Sequence, residues 1–287
     1  MPPRSTPSRT SRAVAATELL DRLEAAHPEA TCALDYRTPF ELVVATILSA
    51  QCTDKRVNEV TPGLFAHYPG PAALAAANPA ALEEEIRPTG FFRAKTRSLQ
   101  GCARRLVEHH GGEVPAQMDA LVKLPGVGRK TANVVLGHAF GRNEGIAVDT
   151  HVLRVSNRLG LARADTPEDT ERQLMDAIPR ERWTRTSDLL IFHGRKVCQA
   201  LRPACGSCPA FDLCRWLNRE AVALTGRVPK ARTAAARKPA AKRRRATAPR
   251  QPSSKRGNTG RGSATRPGHG RKTPAPAATG RTRKARA

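Results

Sequence analysis

The C-terminal segment, residues 227–287, contains no Asp or Glu and, apart from one Val, none of the large apolar residues that build a core. It holds 20 Lys and Arg among Ala, Pro, Gly and Ser. A segment that buries so little apolar surface cannot offset its chain entropy, so we predict a disordered basic tail. Residues 1–16 also lack acids and carry three Arg, which predicts a second disordered basic arm.

Polycationic segments of this kind bind polyanions by releasing condensed counterions, without reading a base sequence. Nucleic acid is therefore the favoured partner, although a merely solubilising tail is the simpler alternative. The whole chain has a formal charge of +24, and nearly all of it lies in the two basic segments. Residues 17–226 are consequently close to neutral.

The sequence also lacks a long hydrophobic run. Its longest apolar stretch, residues 42–48, is interrupted and far shorter than the ~20 residues of a membrane-spanning helix. Residues 13–16 are too short and too weakly hydrophobic for a signal peptide. We therefore expect no membrane association and a cytoplasmic, nucleoid-associated protein, or a nuclear one if the source is eukaryotic.

The middle of the chain shows the pattern of helices. Apolar residues recur at helical spacing, for example Phe40, Val43 and Ile47. Thr or Asn followed by Pro, typical of a helix start, occurs at residues 38–39, 78–79 and 166–167. No stretch alternates with the period of a strand between hairpin turns. An all-α fold is predicted.

Residues 124–132 read Leu-Pro-Gly-Val-Gly-Arg-Lys-Thr-Ala, between two helical patterns. Gly126 and Gly128 allow a tight turn and a close approach of the backbone to a ligand. The unpaired N–H groups at the start of the second helix form an anion site that suits a DNA phosphate. An ordinary corner between helices is the alternative for the glycines alone.

Lys130 lies in the first turn of that second helix, where a cation is electrostatically disfavoured. This placement, the neighbouring Arg129 and partial burial favour a neutral amine, which a Schiff-base nucleophile requires. A lysine that only holds phosphate is the alternative. Asp149 follows an apolar segment and precedes another helix, so its residue type and position alone indicate a helix N-cap.

The seven cysteines include four with the spacing C-x6-C-x2-C-x5-C, namely Cys198, Cys205, Cys208 and Cys214. An odd count with this crowding does not fit a secreted disulfide framework. Four thiolates hold either zinc or a 4Fe–4S cluster. Zinc sites usually contain two closely spaced pairs and this segment has one, so zinc is the less favoured alternative.

Over about residues 17–222 the sequence resembles the endonuclease III family of helix-hairpin-helix DNA glycosylases and abasic-site lyases. The resemblance implies that Lys130 is the nucleophile, that Asp149 is the catalytic carboxylate and that the four cysteines hold a 4Fe–4S cluster. It also implies a two-domain fold. A six-helix barrel domain with the hairpin spans residues 36–143, and a helical iron–sulfur domain combines residues 17–35 and 144–226.

The resemblance further implies a set of DNA contacts. Gln51 enters the gap left by an extruded base, and Phe91 wedges into the stack where the family more often has Leu. The remaining DNA-binding candidates are Gly126, Gly128, Arg129, Thr131, His151 and Arg202.

The implied function is a bifunctional enzyme of base-excision repair that acts as a monomer on double-stranded DNA with damaged bases or abasic sites. It removes oxidised pyrimidines through a lysine Schiff base and then breaks the strand by β-elimination. Two alternatives stay open. An adenine-mismatch glycosylase would normally lack the hairpin lysine and carry a folded C-terminal domain, and a DNA-binding protein on the same scaffold would lack the chemistry.

Overall fold

The computed structural model describes residues 9–228, with side chains from residue 13 onward. Every regular element in that range is helical, which confirms the predicted all-α class, and none of its helices is long and apolar enough to cross a membrane. The predicted disorder of residues 1–8 and of the tail from residue 229 lies outside the described residues. The α-helices of the described part are α1 (Arg9–Ala26), α2 (Pro39–Leu48), α3 (Asp54–His67), α4 (Pro71–Ala76), α5 (Pro79–Ile86), α6 (Phe92–His110), α7 (Met118–Leu121), α8 (Arg129–Phe140), α9 (Thr150–Leu159), α10 (Pro167–Ala177), α11 (Trp183–Lys196) and α12 (Arg219–Thr225).

The first helix begins earlier than the sequence predicted. Because α1 starts at Arg9, the prediction of a disordered arm is wrong for residues 9–16. Alanine is the strongest helix former, and Ala13, Ala15 and Ala16 extend the helix that Leu19 anchors in the core. Ala16 is itself buried in that core.

The three Pro-marked helix starts are confirmed. Thr38 caps α2 by accepting from the N–H of Glu41, and Thr166 caps α10 by accepting from the N–H of Asp169, both at 3.2 Å. Asn78 caps α5 by accepting from two N–H groups. Proline at the next position has no N–H to leave unpaired, so each start is stabilised twice.

The buried side chains of the described residues form two hydrophobic clusters. The first cluster consists of buried side chains from residues 34–136, including those of α2 and α8. The second joins residues 16–30 to residues 146–210, where α1 packs against α10 and α11, and α9 packs against the same two helices. The chain passes from one cluster to the other after α8, and the starts of α8 and α9 line one cavity between them.

Candidate active site

The turn between α7 and α8 is built by two glycines with different roles. Gly126 has a positive φ of 81°, and a Cβ there would lie 2.9 Å from the Cβ of Ser98 on α6. Gly128 has extended backbone, and a Cβ there would meet nothing within 4 Å. Gly126 is therefore required by the packing of the turn, whereas Gly128 leaves the backbone surface open for a ligand to approach.

The first turn of α8 presents backbone N–H groups without a side-chain cap, because its N-cap is Gly128. These groups and the positive end of the helix dipole form an anion site. Thr131 is half-buried in this turn. Arg129 donates from Nε to Glu171 Oε2 at 2.7 Å, and its side chain stays 52% exposed.

Lys130 and Asp149 line the same cavity, which has a volume of about 80 Å³ and lies where the two clusters meet. Lys130 is exposed at its rim, so the predicted partial burial is wrong; the first turn of α8 faces solvent. Asp149 is the N-cap of α9, and its Oδ1 accepts from the N–H groups of His151 and Val152, both at 2.8 Å. Its Oδ2 makes neither of these bonds.

The inner wall of this cavity carries polar side chains that sequence reasoning missed. Asn133 lies one turn after Lys130 on α8, and its Nδ2 donates to Glu171 Oε1 at 2.8 Å. Within the described residues its buried Oδ1 has no hydrogen-bond partner. On the same wall, His138 Nε2 lies 3.2 Å from Asp188 Oδ1, and both side chains are nearly buried. The spacing from Lys130 could have identified Asn133, but Asp188 had no local sequence signal.

A wider opening beside this cavity contains His151. Its ring Nδ1 lies 3.1 Å from Arg154 Nη2, and burial lowers the pKa of the ring. Arg195 of α11 and Asp54 at the start of α3 pair at 2.7 Å across the opening. Charged and polar side chains therefore line the entrance of the cavity, and they come from both of the regions that contain the two hydrophobic clusters.

Gln51 and Phe91 share an unusual backbone conformation. They are the two non-glycine residues of the described part with positive φ, at 53° and 49°. Left-handed backbone costs an ordinary residue about 1–2 kcal/mol. Both side chains are exposed, Phe91 at 65%, whereas the neighbouring Phe92 packs against the first cluster. Two exposed side chains are thus held in strained turns.

The four cysteines of the C-terminal motif come together around one small cavity. Burial, with a smaller contribution from the nearby cysteines, raises the pKa of the Cys208 thiol to about 11. His193 Nε2 lies 3.6 Å from Cys208 Sγ. No three His, Cys, Asp or Glu side chains of residues 9–228 converge closely enough to hold a single metal ion. Arg202 is exposed on the same loop.

Known proteins resemble this chain closely. A family model described as HhH-GPD superfamily base excision DNA repair protein matches residues 44–180. Endonuclease III of Synechocystis sp. is 55% identical over 199 residues, which cover 69% of this chain and 91% of that protein. Endonuclease III of Bacillus subtilis is 49% identical, over 68% of this chain and 90% of its own. A solved structure of a trapped endonuclease III–DNA covalent intermediate is 46% identical with a TM-score of 0.68, over 73% of this chain and 97% of its own.

Proposed function

The chain belongs to the endonuclease III family of base-excision DNA repair enzymes, and from that premise we propose that Lys130 is the nucleophile of its DNA glycosylase and abasic-site lyase activity. One observation carries the proposal. The amine of Lys130 and the carboxylate of Asp149 border one cavity, although they belong to different helices. An amine and a carboxylate facing one reacting carbon are what imine chemistry on a sugar requires.

The proposed reaction begins when a damaged nucleotide rotates out of the duplex into this cavity. The neutral amine of Lys130 forms a bond to C1′ while the bond from C1′ to the base breaks, and the base leaves as an anion that takes a proton from water. Asp149, through the oxygen that does not cap α9, accepts the proton of the attacking amine and stabilises the positive charge at C1′. Opening of the sugar leaves a Schiff base, and β-elimination from it breaks the strand on the 3′ side.

The proposed DNA contacts surround the cavity that Lys130 and Asp149 border. The uncapped start of α8 binds a backbone phosphate through its N–H groups, with Gly128 leaving the approach open and Arg129 and Thr131 alongside. Gln51 and Phe91 fill the gap left by the extruded nucleotide. His151 contacts DNA at the mouth of the cavity. Oxidised pyrimidines in duplex DNA are the proposed substrates, as the resemblance to the endonuclease III family implies.

We further propose that Cys198, Cys205, Cys208 and Cys214 hold a 4Fe–4S cluster. The donor set fits, because four thiols face one cavity and a cation is needed to keep buried thiols ionised. A zinc site usually contains two closely spaced cysteine pairs, whereas this segment has one, Cys205 and Cys208, so zinc stays the less favoured alternative. When bound, the cluster supplies a one-electron redox centre; the protein uses it to fix the loop and to present Arg202 to the DNA backbone.

The two hydrophobic clusters support the proposed division into a barrel domain of residues 36–143 and an iron–sulfur domain of residues 17–35 and 144–226. Damaged or abasic double-stranded DNA is the proposed partner of a monomeric enzyme. Its place of action is accordingly the chromosome, in the cytoplasmic nucleoid or in a nucleus.

Borohydride trapping on abasic duplex DNA tests the proposal. The protein is expected to form a reduced covalent adduct, and Lys130→Gln is expected to lose it while Lys123→Gln, a matched change at an exposed lysine of the same hairpin, retains it. Full trapping by a folded Lys130→Gln variant contradicts the assignment. Release of adenine from mismatches without trapping identifies the mismatch glycosylase instead, and binding without either reaction identifies a non-enzymatic protein.

The cluster proposal has its own test. The purified protein is expected to be yellow-brown, with iron and acid-labile sulfide in equal amounts. A colourless protein that contains zinc contradicts it.

A further inference from the structure

Lys95 of α6 is a buried cation that the proposed chemistry does not use. Its side chain is 4% exposed, and its Nζ donates to two backbone carbonyls, those of Leu48 and Thr89, each at 2.8 Å. Burial lowers the pKa of this ammonium, which shows that its environment disfavours the charge. A buried cation bound to carbonyls of two separate loops calls for an explanation beyond simple packing.

Both carbonyls lie at the ends of helical turns. Leu48 is the last residue of α2. A continued helix would pair its carbonyl with the N–H of Cys52, but that N–H donates to the carbonyl of Ser49 at 3.1 Å. Thr89 ends the short 3-10 turn Arg87–Thr89 that follows α5. Carbonyls at helix ends need partners from outside the helix. Lys95 supplies one partner to each, and a single nitrogen atom therefore fixes the separation of the two loops.

These two loops are the ones that carry the strained, exposed residues. Gln51 follows Leu48 by three positions and Phe91 follows Thr89 by two, and both have left-handed backbone. Strained conformations persist where the surrounding contacts over-determine them. The lysine between the loops makes such contacts, because its bonds hold the segment immediately before each strained residue.

We propose that Lys95 is a positioning residue that sets the spacing between Gln51 and Phe91, so that both side chains enter the duplex gap together. The inference rests on the proposed function, since the gap exists only when a nucleotide leaves the duplex. It assigns Lys95 no contact with DNA and no part in the imine chemistry. A lysine that serves stability alone would affect all substrates equally, whereas a positioning lysine affects duplex substrates selectively.

The test compares Lys95→Met, which keeps the volume and removes both hydrogen bonds, with Arg104→Met. Arg104 is an exposed cation further along the same helix, so its loss matches the change in charge. Each variant is assayed on abasic DNA in single-stranded and duplex form. Duplex binding is followed by the fluorescence of 2-aminopurine placed opposite a non-cleavable abasic analogue, which reports how the gap is filled. Single-stranded DNA has no opposing base to replace, so its cleavage reports the chemistry alone.

We expect Lys95→Met to lower kcat/KM on duplex DNA at least about tenfold, the effect of one hydrogen bond to a charged group. Single-stranded cleavage is expected to stay within about twofold, a difference too small to reflect a lost hydrogen bond, and the 2-aminopurine response is expected to fall. Arg104→Met is expected to match the unmodified protein in all three measurements.

An equal loss on both substrates, or no loss on either, overturns the proposal. If Lys95→Met does not fold, Lys95→Gln, whose shorter amide reaches at most one of the carbonyls, is judged by the same criteria. Failure of both variants to reach native helix content also overturns it, because the lysine then acts on stability. Absence of both cleavage and borohydride trapping on duplex abasic DNA with the unmodified protein instead contradicts the proposed function, and the two failures are therefore distinguishable.

Discussion

Asp149 carries two roles that substitution can separate. Its Oδ1 caps α9 by accepting from two N–H groups at 2.8 Å, and the proposed chemistry uses the carboxylate as a charge. Serine is as good an N-cap as aspartate but is neutral, whereas alanine is neither a cap nor a charge. Asp149→Ser therefore removes only the chemistry, and Asp149→Ala removes both.

The magnitudes follow from the geometry of this cap. Loss of an N-cap costs about 1 kcal/mol and at most about 2, and loss of a negative charge at a helix start costs about 0.3–1 kcal/mol. Asp149→Ser is thus expected to lower the free energy of unfolding by less than about 1 kcal/mol, and Asp149→Ala by about 1–3 kcal/mol. For a folded region of this size each kcal/mol lowers Tm by about 2–4 °C.

Catalysis is expected to respond differently. Both variants lose the same carboxylate, so both are expected to lose about 10²–10⁴ in the rate of adduct formation on abasic DNA. Thermal unfolding and single-turnover borohydride trapping measure the two effects on the same samples. If Asp149→Ser traps at the normal rate and only Asp149→Ala is slow, the residue is a cap alone and the catalytic reasoning is wrong.

Three further predictions concern the DNA-binding surface. Gly126→Ala is expected to lower the free energy of unfolding, measured in urea, by about 1–3 kcal/mol because of the positive φ and the clash with Ser98. Gly128→Ala is expected to weaken DNA binding while the free energy of unfolding stays nearly unchanged. Equal free energies of unfolding for the two variants contradict the different roles given to the two glycines. Phe91→Gly is expected to leave stability unchanged or raised by up to about 1 kcal/mol while slowing base removal from duplexes, and an unchanged rate speaks against a wedge. Deletion of residues 227–287 is expected to weaken binding and flatten its dependence on salt; an unchanged salt slope refutes a role for the tail.

Local sequence signals identified the helices and the turn that precedes Lys130. Thr38 and Asn78 cap helices because capping depends on neighbours a few residues away, which the sequence displays directly. The extent of α1 was missed because the alanines of the arm become helical by packing on the core, and tertiary contact is not written in a local pattern. The exposure of Lys130 was missed for the same reason.

Long-range features of the candidate site could not be read from the chain. Asp188 reaches the cavity wall and His138 from a helix fifty residues away, and only the fold brings them together. Lys95 looks like any helical lysine until its burial is known. Positive φ at Phe91 also had no signal, because the sequence places an aromatic residue where such backbone usually selects glycine.

The buried carboxylate of Glu171 connects the two helix starts that border the candidate active site. It receives Arg129 and Asn133, which flank Lys130 on α8, and Asn133 also donates to the carbonyl of Ile146, three residues before Asp149. Through these neighbours, Lys130 and Asp149 are both tied to one shared carboxylate. The spacing of the two helix starts around the cavity therefore depends on the charge of a third residue, so neutralising Glu171 would alter the site without removing either Lys130 or Asp149 from its lining.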